Sequence, residues 1–149
     1  MGLIFADSSA LLKRHIAEQG STWVRSWIRP EQGHTIVAAE IAIPEIIAAL
    51  ARRRRQRQLS PASLGRLRGA FVLAAEEEYL LIPITRAIVT VAGELVVRHP
   101  LRTLDAIHLA AALEVARRFA AIPLFITADR ILLAAAVAEG FPTDDPNTH

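Results

Sequence analysis

Read for the spacing of its apolar positions, the chain alternates short apolar runs with longer amphipathic stretches along its length. Leu3 to Ala6 is an apolar run that predicts a buried strand ending at Asp7-Ser8-Ser9, with Ser8 or Ser9 capping a helix from Ala10 to Glu18 that Gly20 closes. Ser21 is expected to cap a second helix to Arg29, with Trp23 and Trp27 stacked at i, i+4 and Pro30 as its stop. His34 to Ala39 predicts a second strand, after which Pro44 falls in the first turn of a helix through Glu45 to Gln58 that turns Ile46, Ile47 and Leu50 inward. Ser60-Pro61 opens the next helix, to Glu78, by the cap-then-proline rule.

Tyr79 to Ile84 predicts a third strand, and Thr85 caps a helix to Arg98 that His99-Pro100 breaks. Thr103 is expected to cap a helix from Leu104 to Ala120, followed by a fourth strand from Ile122 to Ile126. Thr127-Ala128-Asp129 then turns into a helix that ends at Glu139-Gly140, and Phe141 to Asp144 predicts a last strand. Alternation of this kind implies an α/β fold, a three-layer α/β/α sandwich with a mainly parallel sheet. With no internal repeat, linker or low-complexity segment, a single domain over residues 1–149 is expected.

Composition narrows the chemistry. The sequence has no cysteine, which excludes thiol catalysis, cysteine zinc sites and a disulfide scaffold. Hydrophobic residues make up 52% and charged residues 21%, with a mean hydropathy of +0.32, a globular balance. The longest stretch without a charge, Phe119 to Ala128, is ten residues and contains a proline, too short for a membrane span. The first residues lack the basic segment of a secretory signal, so a soluble cytoplasmic protein is expected. Seventeen basic against fifteen acidic residues give a net charge of +2, and the pI of about 9.9 mostly reflects arginine in place of lysine, Lys13 being the only lysine. The pI alone therefore does not identify a nucleic-acid binder.

Position matters more than the count. Asp7 ends the first strand, Asp129 follows the fourth by a short turn, and Glu45 and Asp105 lie in the first turns of their helices. In a parallel sheet the ligand crevice lies beyond the carboxyl ends of the strands, so these four carboxylates are expected at one rim. Each taken singly could be a partner for a helix dipole. Together they would repel, and a cation is the natural neutraliser. An all-oxygen donor set suits Mg²⁺ or Mn²⁺ better than zinc, and such ions support hydrolysis of phosphodiesters by water. Glu40, five residues earlier, competes with Glu45 for the second acidic position.

Four stretches in series carry a resemblance: Phe5-Ala6-Asp7-Ser8-Ser9-Ala10-Leu11, Pro44-Glu45-Ile46-Ile47-Ala48-Ala49-Leu50-Ala51-Arg52, Leu104-Asp105-Ala106-Ile107-His108-Leu109-Ala110 and Phe125-Ile126-Thr127-Ala128-Asp129-Arg130. With them the chain resembles the PIN-domain ribonucleases, and among these the VapC-type toxins of type II toxin–antitoxin pairs. The resemblance implies a Mg²⁺- or Mn²⁺-dependent endoribonuclease, a homodimer, and a small VapB-like antitoxin partner. It matches Asp7, Glu45, Asp105 and Asp129 to an acidic quartet, with Asp7 and Asp105 as the most direct metal ligands. Glu45 and Asp129 would complete the site directly or through water, Glu45 being suited to orient the attacking water. Ser8 and Thr127 match supporting hydroxyl positions, although both could equally be helix caps.

Among the basic residues, Lys13 and Arg14 on the first helix and Arg52 and Arg55 in the run Arg52 to Arg55 are expected to face an RNA backbone, against a plain reading as a solvated helix end. Asp144 and Asp145 are read as a solvated pair near the C-terminus, and His108 as a core histidine or one bonded to a site residue. Two other functions stay open: a catalytically silent PIN-like module that binds RNA or a partner, and a phosphoacceptor receiver. The receiver is disfavoured because it needs a lysine after a late strand.

Overall fold

A computed structural model describes residues 2–149, and Met1, where the expected domain begins, lies outside the described residues. The elements run β1 (Leu3–Ala6), α1 (Ser8–His15), α2 (Ser21–Trp27), β2 (Thr35–Ala39), α3 (Ala42–Arg55), α4 (Pro61–Glu78), β3 (Tyr79–Ile82), α5 (Arg86–Arg98), α6 (Thr103–Phe119), β4 (Leu124–Ile126), α7 (Arg130–Ala138) and β5 (Thr143–Asp144). Short 3-10 turns cover Pro30–Gln32 and Pro146–Thr148.

The five strands form one sheet in the order β3-β2-β1-β4-β5, and every neighbouring pair is parallel. Both faces are covered, as a parallel sheet requires. Ile4 and Ala6 of β1 and Ile36 and Ala38 of β2 point into a core with Leu11, Val24, Leu50 and Phe71 of α1 to α4. Phe5, Val37 and Ala39 point the other way, into a core with Leu95, Leu109 and Leu132 of α5, α6 and α7. The three-layer α/β/α sandwich is therefore built on the period-two alternation of the strands. Phe5 and Phe125 stack at 5.3 Å on the second face and tie β1 to β4. The chain adds β2 and β3 on one side of β1 and β4 and β5 on the other, so the direction of winding reverses between β1 and β4. That reversal opens a crevice at the carboxyl ends of these two strands.

Several boundaries differ from the sequence expectation for local reasons. Strand β3 stops at Ile82, before Pro83, which has no N–H to donate to a ladder. Strand β4 begins after Pro123, and Ile122, expected inside it, is 63% exposed. Helix α3 starts at Ala42, two residues before Pro44, and ends at Arg55 because Arg57 takes a left-handed conformation. Helices α1 and α2 stop at His15 and Trp27, short of Glu18 and Arg29. Ser60 and Thr85 cap their helices as expected, accepting from the N–H groups of Ser63 and Ile88. Ser21 and Thr103 do not, each standing as the first helical residue. The cap of α1 is Asp7 rather than Ser8 or Ser9. Among the described residues no helix is long and apolar enough to cross a membrane.

Candidate functional site

Four helix starts converge on the crevice between β1 and β4. Asp7 is the cap of α1 and Asp129 the cap of α7, while Glu45 and Asp105 sit in the first turns of α3 and α6. All four carboxylates line one cleft of about 380 Å³, together with Ser8 and Arg52. The positive ends of the helix dipoles favour anions here, but each dipole offsets only about 0.3–1 kcal/mol.

Asp7 is the most enclosed of the four, at 3% exposure. Its Oδ1 accepts from the Ala10 N–H at 3.1 Å and the Ser9 hydroxyl at 2.7 Å, and its Oδ2 accepts from the Thr127 hydroxyl at 2.8 Å. Burial pushes the carboxyl above the ordinary aspartate value, and the charge of His108 and these hydrogen bonds only partly offset that. Thr127 Oγ1 also accepts from the Asp129 N–H at 3.0 Å, and Ser9 Oγ accepts from the Ala128 N–H at 2.9 Å. The two hydroxyls thus lock the loop after β4 onto the end of β1. Asp129 is held in turn by the N–H groups of Ile131 and Leu132, both at 2.9 Å to Oδ1.

Across the cleft, Glu45 Oε1 accepts from the Ser8 hydroxyl at 2.7 Å and lies 2.5 Å from His108 Nε2. Burial would raise the Glu45 carboxyl, but His108 and Ser8 outweigh it and hold the group below the ordinary value. Asp105 makes no side-chain hydrogen bond among the described residues. Burial, then the charges of Asp129, Asp7 and Glu45, push it up to about 6, with His108 acting the other way. Burial is the larger cause, and the three neighbouring carboxylates that add to it mark an excess of negative charge at this point.

The donor set is oxygen throughout: Asp105 and the second oxygens of Glu45 and Asp129 carry no hydrogen bond to the described residues, and Asp7 Oδ2, with Thr127 as its one donor, keeps a lone pair. That chemistry fits a hard divalent ion. Among the described residues no three such groups already close on a common point. The fit is therefore to an ion that keeps several of its waters and takes few carboxylates directly, the habit of Mg²⁺.

The structure separates residues that the sequence left together. Glu40, the competitor of Glu45, is exposed and turned to the Ile84 N–H at 3.0 Å, outside the cleft lining. Asp144 bonds His149 and the Asp145 N–H, and Asp145 caps the last 3-10 turn. Lys13, expected at an RNA backbone, is 5% exposed, with Nζ bonded to Glu18 at 3.2 Å and the Gln19 carbonyl at 2.7 Å. Arg14 is committed to both oxygens of Glu78, at 2.5 and 3.2 Å, and to the Tyr79 hydroxyl at 3.1 Å. Neither lines the cleft, Lys13 because of partners in the turn after α1 and Arg14 because of tertiary ones. Arg52 lines the cleft, whereas Arg55 is exposed and outside its lining.

Two contributors, Ser9 as a bridge and Arg102, lie outside the sequence reading, and for His108, expected in the core or bonded to a site residue, the partner does. Ser9 was read only as a cap, yet it bridges Asp7 and Ala128. Arg102, the cap position of α6, lines the cleft with Arg52, and its place just before a helix that starts at the rim is the available signal. His108 had its i+3 spacing from Asp105, but the bond to Glu45, 63 residues away, lies outside local pattern.

Residues 4–138 match the PIN domain family. Ribonuclease VapC47 of Mycobacterium tuberculosis (strain CDC 1551 / Oshkosh) is 31% identical over 146 residues, covering 97% of each chain. Among solved structures, the Mycobacterium tuberculosis VapC20 toxin, which cleaves the sarcin–ricin loop, aligns with a TM-score of 0.63 at 19% identity over 93% of this chain and 95% of its own. PAE2754 from Pyrobaculum aerophilum aligns at 0.62 with 20% identity, over 99% and 85%. A toxin–antitoxin complex from Klebsiella pneumoniae aligns at 0.61 with 17% identity, over 96% and 97%. These three share the fold.

Proposed function

This chain belongs to the PIN-domain family, among its VapC-type ribonucleases, and from that premise we propose that it is a Mg²⁺- or Mn²⁺-dependent endoribonuclease, the toxin of a type II pair. The observation that carries the proposal is the convergence of Asp7, Glu45, Asp105 and Asp129 on one cleft at the reversal of the sheet. Asp7 and Asp105 would hold the ion, with Glu45 and Asp129 completing its shell directly or through water. When bound, the ion supplies a lowered pKa to the attacking water and offsets charge on the phosphoryl oxygens.

The chain's own groups do the rest. Glu45, held ionised by His108 and Ser8, accepts a hydrogen bond from the attacking water and aims it. Thr127 and Ser9 hold Asp7 in one orientation, so no reorganisation is needed when substrate arrives. Arg52 and Arg102, which both line the cleft, bind the RNA backbone near the scissile phosphate.

A VapB-like antitoxin would restrain the activity in the cytoplasm, as expected for a toxin of this family. A homodimer is supported by the exposed valines of α5, Val89, Val96 and Val97, the last 86% exposed. Brief induction of the chain in a bacterial host, with sequencing of new RNA ends, tests the proposal. Discrete new ends and growth arrest are expected with the wild type and neither with Asp7→Asn. Equal arrest and equal ends in both would overturn it.

A further inference from the structure

Glu45 is gripped on one oxygen by two donors from two other helices. Ser8 of α1 donates to Oε1 at 2.7 Å, His108 Nε2 of α6 lies 2.5 Å from the same oxygen, and Ser8 Oγ and His108 Nε2 are 3.1 Å apart. His108 is 1% exposed, and its Nδ1 is buried without a hydrogen-bond partner among the described residues. Nε2 must therefore be a protonated nitrogen. A single proton on Nδ1 would leave that N–H orphaned in the core and set two lone pairs against each other at Glu45. The other carboxylate oxygen, Oε2, makes no hydrogen bond to the chain among the described residues, and Glu45 lines the cleft.

We propose that His108 is a positioning residue: with Ser8 it saturates Oε1 of Glu45, so that Oε2 is the oxygen presented to the metal and its water. The proposal rests on the metal-dependent ribonuclease assigned above. A histidine serving only as core filler would place its one polar contact anywhere it could be satisfied. Here the one nitrogen of a buried ring that makes polar contacts, Nε2, makes them with a site carboxylate and with the serine that shares it. Groups that orient a metal-binding side chain from behind typically carry about 10–100-fold in metal affinity or activity.

The test compares His108→Leu, His108→Gln and Ser8→Ala in the full chain purified free of antitoxin, by calorimetric titration of Mn²⁺ alone and by kcat and KM on an RNA substrate. His108→Leu is expected to weaken Mn²⁺ binding and lower kcat by about 10–100-fold each. KM for RNA should stay within about twofold, because the backbone contacts are untouched. His108→Gln keeps an N–H donor near the position of Nε2, so it should recover most of both losses. Ser8→Ala removes the second donor and should lose both in the same direction, by less.

Wild-type Mn²⁺ affinity in His108→Leu would overturn the proposal, as would equal impairment in the leucine and glutamine variants, which is the mark of packing alone. If His108→Leu does not fold, Ser8→Ala decides, and unchanged Mn²⁺ affinity in it counts against the proposal. A wild type that binds Mn²⁺ and cleaves no RNA would overturn the ribonuclease instead, leaving the Mn²⁺ affinities to judge His108.

Discussion

Thr127 Oγ1 donates to Asp7 Oδ2 at 2.8 Å across the junction of β1 and β4, and the same oxygen accepts the Asp129 N–H at 3.0 Å. One fully buried hydroxyl therefore fixes its own loop, which bears Asp129, to a carboxylate 120 residues before it. Thr127→Val keeps the shape and removes both bonds, orphaning a buried carboxylate oxygen and an N–H. Urea unfolding should show a loss of about 1–3 kcal/mol. Stability equal to the wild type would mean that water or another donor replaces the hydroxyl.

Burial, and after it the neighbouring carboxylates, give Asp105 a pH signature. Its carboxyl titrates near 6, above the ordinary 3.8, so the folded protein binds this proton more tightly than the unfolded chain. Its contribution to stability is fully present below about pH 4 and is lost as the pH rises through 6. In metal-free protein near pH 7.5, Asp105→Asn should raise Tm by about 2–4 °C, allowing about 1 kcal/mol after solvent screening of a half-buried group. The difference should shrink towards zero as pH falls through 6 to about 4. A Tm difference that is flat across this range contradicts the assignment.

Arg52 and Arg102 frame the cleft, and Arg55 stands outside it. Arg52→Ala and Arg102→Ala should each raise KM for RNA and reduce the salt slope of binding by about 0.7, the value for one phosphate contact on a single strand. Mn²⁺ affinity should not change in either. Arg55→Ala is expected to match the wild type, and a loss there equal to that at Arg52 would move the RNA path along α3.

Gly20 sits at φ +82°, where a Cβ would lie 2.3 Å from the Pro146 carbonyl oxygen. The C-terminal segment is seated there, with Gln19 Nε2 donating to the Asn147 carbonyl at 2.6 Å and His149 stacked on Trp23 at 4.1 Å. Gly140, at φ +93°, has open space around it. Gly140→Ala carries backbone strain alone, about 1 kcal/mol, whereas Gly20→Ala adds a backbone clash and should lower Tm clearly further. Equal Tm changes in the two variants would show that the C-terminal turn yields freely.

Local pattern made much of this molecule legible. The alternation of Ile4, Phe5 and Ala6 marks which core each strand residue joins, and Ser60 and Thr85 cap the helices they precede. Asp7 and Asp129 stand out because each sits between a buried strand and the helix that follows it. The strand order was not legible, since β1 pairs with β4 across more than a hundred residues. Basic residues misled for the same reason: nothing near Arg14 announces Glu78, and nothing near Arg102 announces the cleft. Asp7 displaced the serines as the α1 cap because its side chain, at the end of β1, already faces the Ala10 N–H.

Purified, antitoxin-free protein on RNA, with and without divalent metal, tests the central claim most directly. The wild type should cleave in Mn²⁺ or Mg²⁺, stop on chelation and resume when metal is restored. Asp7→Asn and Asp105→Asn should lose more than about 100-fold, beyond what loss of an outer partner costs. Cleavage that continues under chelation, or at the wild-type rate in both variants, would contradict a metal-dependent nuclease, and Mn²⁺ binding without turnover would leave a silent RNA-binding module in its place.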